Sequence, residues 1–202
     1  MVASYVQLIE KKYGNVIDDD GREYMNFAVQ GVNRLKILLD CLLIYSRLNS
    51  DNTEYETADT GKIVLRNQEK ISRGYPETLI KFENGIMPEL TCNKDQVNEL
   101  FFQLYSNCVK FNSNNHKIIK TDCIDKTNEY IFKISDNGIG IPIEYQDKVF
   151  GIFQRLHTAE EYPGTGIGLT LCKRIVELHS GEIWFESNNN EGTTFYFKIP
   201  KK

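Results

Sequence analysis

Asp136-Asn137-Gly138-Ile139-Gly140-Ile141-Pro142, then Val149-Phe150-Gly151-Ile152-Phe153-Gln154-Arg155, then Pro163-Gly164-Thr165-Gly166-Ile167-Gly168-Leu169: this stretch decides how the chain is read. A carboxylate sits between a strand and two close glycines, and a second glycine cluster opens a helix. Asp136 ends a strand whose period-2 alternation sets Phe132 and Ile134 on its own side. If that side faces the core, its carboxylate accepts a hydrogen bond from an exocyclic amine deep in a pocket. Gly138 and Gly140 let the backbone approach a flat ring closely. Gly164, Gly166 and Gly168 leave the first N–H groups of the next helix unobstructed, which suits an anion. The combination describes a pocket for a purine triphosphate. Taken one at a time, the signals have plainer explanations: an Asp-Asn-Gly turn, and a flexible glycine turn at a helix start. The G-x-G-x-G spacing with no parallel strand before it excludes a dinucleotide-binding fold. The lack of a Lys-Ser/Thr pair after the glycines excludes a Walker A loop.

Working outward, a helix is predicted from about Asp95 to Phe111, with Val97, Leu100, Phe101, Leu104, Cys108 and Phe111 on one face. Gln103 and Asn107 share another face, with Lys110 one turn on. An Asn carbonyl oxygen is a hard ligand suited to Mg²⁺, and Lys110 neutralises a phosphate. The plainer explanation is a solvated polar stripe. A hairpin is predicted from Ile118–Cys123 and Tyr130–Ile134, turning at Asp125–Asn128. Short extended pieces precede the helix at Thr78–Phe82 and Pro88–Cys92, and Lys62–Lys70 forms a short helix or strand. After the glycines come a helix from about Gly168 to His179 and strands at Glu182–Glu186 and Thr194–Ile199. The segment Thr158–Pro163 is polar and is expected to act as a mobile lid. Hairpin strands and segregated helices give an α+β sandwich, a mixed sheet with helices on one face.

The amino-terminal part reads differently. Helices are predicted at Val2–Tyr13 and Arg22–Leu48, the second with Met25, Ala28, Val32, Leu35, Leu39 and Leu42 at alternating spacings of three and four. That is a heptad seam, which calls for partner helices, and a dimer forming a four-helix bundle supplies them. An intramolecular hairpin packed on the rest of the chain is the alternative. The predicted divisions are a helical hairpin at 1–49, a polar linker at 50–61 and a sandwich domain at 62–202.

The 202-residue chain is 41% hydrophobic and 26% charged with a net charge of -4, so a nucleic-acid surface is not expected. Its five cysteines show no C-x-x-C spacing and read as reduced thiols of a cytoplasmic protein. No apolar run is long enough to span a membrane, so any anchor of a parent protein lies outside this chain.

The order asparagine helix, Asp-x-Gly-x-Gly, Phe150-x-x-Phe153 and triple-glycine turn is far more specific than its parts. It resembles the ATP-binding domain of sensor histidine kinases, within the Bergerat-fold ATPases that also include gyrase and MutL. The resemblance covers roughly residues 57 to 200 for that domain. It implies ATP and Mg²⁺ as ligands, with Asn107 and Gln103 at the metal and Lys110 at phosphate. Asp136 would bind adenine in a pocket shaped by Gly138 and Gly140. Phe150 and Phe153 would anchor the lid, Gly164, Gly166 and Gly168 would line the triphosphate, and Arg155 would reach the terminal phosphate. Thr194 would back the adenine pocket. One departure is Gln103, where the family commonly has Asn or Glu.

The helices at the amino terminus are similar to the dimerisation and phosphoacceptor hairpin of phytochrome-like and PAS-linked members. The block with the phosphoacceptor histidine normally lies just upstream of the position of Met1. The histidines here, His116, His157 and His179, lie outside the hairpin. The expectation is a kinase portion that binds Mg-ATP, does not phosphorylate itself, dimerises through its hairpin and serves a response-regulator receiver domain. Either a chain boundary or natural loss explains the missing histidine. A pseudokinase that docks a regulator without catalysis is the alternative. An ATPase of the gyrase or MutL type would leave the heptad hairpin unexplained.

Overall fold

A computed structural model describes residues 2–13, 16–48, 54–145, 148–151, 166–187 and 191–201. The chain divides into two compact units, Met1–Asp51 and Asn52–Lys202.

The first unit is a pair of helices, α1 (Val2–Tyr13) and α2 (Asp19–Leu48), packed on each other. Helix α2 begins at Asp19, ahead of the expected Arg22, because Asp18 Oδ1 accepts from the Gly21 N–H at 2.8 Å. Asp19 and Asp20 then add negative charge at the positive end of the helix. Along the expected seam Met25 and Val32 are half-buried, while Ala28, Leu35 and Leu39 are exposed. The Leu42 side chain lies outside the described residues.

The second unit is built on a five-stranded sheet. Its strands, in chain order, are β2 (Leu79–Asn84), β4 (His116–Asp125), β5 (Glu129–Asp136), β6 (Glu182–Ser187) and β7 (Thr193–Pro200). Their spatial order is β2-β4-β5-β7-β6, with β2 parallel to β4 and the other neighbours antiparallel. A separate ribbon pairs β1 (Glu56–Asp59) antiparallel with β3 (Glu89–Cys92). The end of the expected linker is therefore folded. Ala58 is buried, and Asp59 caps helix α3 (Thr60–Gly74) by accepting from the Lys62 N–H at 3.1 Å.

Helices α3, α4 (Lys94–Lys110) and α5 (Gly168–Leu178) lie on one face of the sheet, as expected from the sequence. Phe101 of α4 sits at the centre of the core. Its ring meets Phe132 of β5 and Phe197 of β7 edge-on at 5.8 and 5.5 Å, and those two rings stack at 4.8 Å. The opposite face is polar, with Glu83 bridging Lys81 and Lys120 at 2.7 and 2.9 Å and Trp184 stacked on Tyr196 at 5.4 Å. Cys92, Cys108 and Cys172 are buried free thiols in this core, and Cys123 is half-buried.

His179 follows α5 as a core residue. It is fully buried, its Nδ1 bonds the Ile175 carbonyl at 2.8 Å, and its Nε2 accepts from the Asn93 N–H at 3.2 Å. A carbonyl only accepts, so Nδ1 carries the proton and the ring is neutral. The chain then turns through Ser180, which takes the left-handed conformation at φ 56°. Gly181 is glycine for another reason: a Cβ there would stand 2.0 Å from the Lys198 carbonyl oxygen. Ser180→Gly is therefore expected to raise stability by about 0.5 kcal/mol, read as a higher urea midpoint at unchanged slope.

Candidate functional site

The end of α4 and the turns at Gly138 and Gly192 meet at Asp136, the last residue of β5. Asp136 Oδ1 accepts from the N–H groups of Gly138 at 2.7 Å and Thr193 at 3.3 Å. Burial pushes the carboxyl up to about 6, against the pull of these donors and of the Cys108 thiol beside it. One oxygen is thus held by the protein, and the carboxyl is poorly solvated. The backbone around it leaves no room for side chains. A Cβ on Gly138 would lie 2.4 Å from the Phe111 carbonyl oxygen. Gly140 has φ 76°, and Gly192 has φ 87° with its ideal Cβ only 2.0 Å from the Asp136 carbonyl oxygen.

The end of α4 is fastened to this turn. The Ile139 N–H donates to the Phe111 carbonyl at 3.0 Å. Asn137 extends the joint: its Oδ1 accepts from Asn112 Nδ2 and the Ile118 N–H, each at 2.8 Å, and its Nδ2 donates to the His116 carbonyl at 3.0 Å. Sequence reasoning missed Asn137. An amide that accepts two hydrogen bonds and donates another, between Asp136 and Gly138, is the feature that locks the turn.

On α4, the expected pair meets the start of α5. A Cβ on Gly168 would lie 2.7 Å from Gln103 Oε1 and 4.0 Å from Asn107 Nδ2. Gln103 is steadied by donating to Glu99 Oε1 at 2.7 Å, another residue the sequence did not single out. The Lys110 ammonium lies at the end of the same helix, 4.6 Å from the Phe111 ring centroid. Helix α5 begins after Gly166, at φ 72°, and its N-cap residue Ile167 makes no side-chain capping bond. By contrast Asp59 caps α3 and Asn93 caps α4. The first N–H groups of α5 therefore have no capping side chain among the described residues. Phe150 packs edge-on against Phe185 at 6.1 Å, and Thr170 Oγ1 donates to the Gly151 carbonyl at 2.9 Å.

Thr194 is a correction. Its hydroxyl donates to Ser135 Oγ at 3.0 Å, on the sheet face away from Asp136, and Thr193 takes the place beside the carboxyl. The cause is a one-residue offset: β7 starts at Thr193, and each step along a strand reverses the side. The residue directly after the positive-φ glycine was the available signal. Phe153, Arg155 and Gly164, with the expected lid Thr158–Pro163, lie outside the described residues.

Residues 92–202 match the family of histidine kinase-, DNA gyrase B- and HSP90-like ATPases. The chain belongs to this ATPase family. The matched region runs from the end of β3 through β7 and so contains the Asp136 turn, the α4 polar face and the α5 start. The chain is similar to phytochrome-like protein Cph1 from Synechocystis sp., 37% identical over 199 residues, which is 98% of this chain and 27% of Cph1. It spans about a quarter of the length of the curated relatives it matches. Solved structures share the fold. Full-length ShkA in complex with AMPPNP aligns at TM-score 0.69 and 18% identity, over 98% of this chain and 42% of that one. Histidine kinase ThkA in complex with response regulator protein TrrA aligns at TM-score 0.68 and 21% identity, over 100% of this chain and 58% of that one. No helix of the described residues is long and apolar enough to cross a membrane.

Proposed function

We propose that this chain is the ATP-binding portion of a two-component sensor histidine kinase, donating the γ-phosphoryl group to a histidine carried elsewhere and thence to a receiver aspartate. The observation that carries the proposal is one arrangement: a desolvated carboxyl at the glycine turn, and Gln103 Oε1 on α4 facing a helix start that has no capping side chain among the described residues. Asp136 takes the adenine amino group, Gly138 and Gly140 admit the ring, and Thr193 backs it. The α5 start, from Gly166 to Gly168, receives phosphate oxygens, with Gly164 before it. Lys110 and Arg155 neutralise charge that develops during transfer. Phe150 and Phe153 hold the segment over the nucleotide.

The donor set fits Mg²⁺. Asn107 and Gln103 offer hard amide oxygens, and Gly168, lacking a Cβ, leaves Gln103 Oε1 clear of side-chain atoms there. Gln103 and Asn107 would hold the ion, which when bound neutralises phosphate charge and fixes the phosphate geometry.

A parent kinase would dimerise through the hairpin, a reading supported by the exposure of Tyr24, Phe27, Leu35 and Leu39 on α2. The residues just ahead of β1 would hinge the ATP-binding domain to it. A receiver domain is the proposed partner, and ThkA with TrrA is a structural neighbour crystallised in such company. Free buried thiols favour a reducing, cytoplasmic setting.

The test mixes this chain with Mg-ATP labelled at the γ-phosphate and a separate helical hairpin bearing a phosphoacceptor histidine. The chain alone is expected to acquire no stable label, and the added hairpin is expected to acquire acid-labile phosphate. Label on the chain itself, or none on the hairpin despite measured ATP binding, would overturn the phosphoryl-donor role.

A further inference from the structure

Ser187 closes β6, and its hydroxyl joins two segments that flank the Asp136 carboxyl. Ser187 Oγ accepts from the Ile141 N–H at 2.8 Å and donates to the Gly192 carbonyl at 2.8 Å. A carbonyl has no proton to give, so the single serine proton is committed to Gly192. Thr193 Oγ1 stands 3.2 Å from Ser187 Oγ. With the serine proton spent, the threonine is the donor at that contact, and its own oxygen keeps only lone pairs for anything else. Thr193 is buried on the Asp136 side of β7, with its N–H on the Asp136 carboxyl. A carboxylate and a hydroxyl that can only accept therefore stand next to each other.

We propose that Ser187 is a specificity-determining positioning residue, which by holding the Thr193 proton makes that hydroxyl an acceptor and biases the pocket toward a ring with an exocyclic amine. The inference rests on the reading of Asp136 as the base acceptor. An amino group brings two N–H donors to two acceptors. A carbonyl at the same ring position, as in hypoxanthine, meets acceptors only and stays unpaired on burial. That mismatch discriminates far more strongly than a change in apolar fit. Ile141 matters because its N–H fills a serine lone pair. The hydroxyl polarity is thereby tied to the Gly140–Ile141 arm as well as to the Gly192 turn.

The experiment measures dissociation constants for adenosine and inosine triphosphates, with Mg²⁺, on the full chain. The variants are Ser187→Ala, Ser187→Thr, Thr193→Val and the Ser187→Ala/Thr193→Val pair. Wild type is expected to prefer the adenine nucleotide. In Ser187→Ala the threonine hydroxyl is released to donate to a ring carbonyl, so the preference falls by about tenfold, the worth of one hydrogen bond. Ser187→Thr keeps the hydroxyl and the preference. In a Thr193→Val background, Ser187→Ala changes the preference no further, because the proton it would release is gone. An unchanged preference in Ser187→Ala, or additive effects in the pair, overturns the assignment. If Ser187→Ala fails to fold, Thr193→Val carries the test: a reduced preference supports the assignment and an unchanged one overturns it. Failure of wild type to bind either nucleotide overturns the nucleotide-site reading itself, and shows before any variant is compared.

Discussion

Asparagine in place of Asp136 is expected to abolish adenine-nucleotide binding and, at neutral pH, to make the free chain more stable. The two effects share one cause. Burial raises the folded carboxyl to about 6 from its ordinary value of 3.8, so the folded state prefers the protonated form. The stability this group contributes is fully present below about pH 4 and is lost as pH rises through about 6. An ionised Asp136 at neutral pH thus costs about 2 to 3 kcal/mol relative to an unperturbed carboxyl. Asparagine keeps an acceptor for the Gly138 and Thr193 N–H groups without the charge. Thermal melts of both chains from pH 4 to pH 8 check this. The variant should melt roughly 5 °C higher at pH 8, with the gap closing toward pH 4. A variant less stable at pH 8 would mean that the carboxylate is better solvated than its surroundings indicate. Binding follows the opposite sign. The ionised form accepts from the amino group, so wild-type affinity should weaken as pH falls below about 6, by up to tenfold per unit.

The largest loss of stability is expected from Gly192→Ala. Two costs coincide there: a φ of 87°, which L side chains rarely adopt, and a Cβ placed 2.0 Å from the Asp136 carbonyl oxygen. The obstacle is backbone within the paired end of the sheet, so it cannot swing aside. A left-handed penalty of about 1–2 kcal/mol plus overpacking of about 1–3 kcal/mol gives about 2–5 kcal/mol. Gly74→Ala is the control, since nothing lies within 4 Å of its ideal Cβ. Urea unfolding of the two variants should separate them by that amount. Equal midpoints would contradict the turn geometry on which the Asp136 pocket depends.

Much of this architecture was legible because the deciding residues carry local physics. The alternation set Asp136 on one side of the strand with Phe132 and Ile134, and in the fold that side is the core side. The i, i+4 spacing of Gln103 and Asn107 set both toward one neighbour, and that neighbour is the Gly168 helix start. The misses have equally local causes. Strand β1 is only four residues long and lies in an acidic stretch, so its pairing with β3 is visible only once the sheet partner is in place. The resemblance carried the adenine-backing role to Thr194, but a strand boundary is uncertain by a residue, and one residue reverses the face. Asn137 and Ser187 act through long-range hydrogen bonds, 19 residues away to Ile118 and 46 to Ile141, which no periodicity reports.

The central claim is that the Asp136 turn and the α5 start form one adenine-nucleotide site. Calorimetric titration of the chain with Mg-ATP, in parallel with the Asp136→Asn variant, tests it most directly. Saturable binding at one site per chain, absent in the variant although the variant melts at least as high, is the predicted result. No heat of binding from wild-type chain that unfolds cooperatively would contradict it.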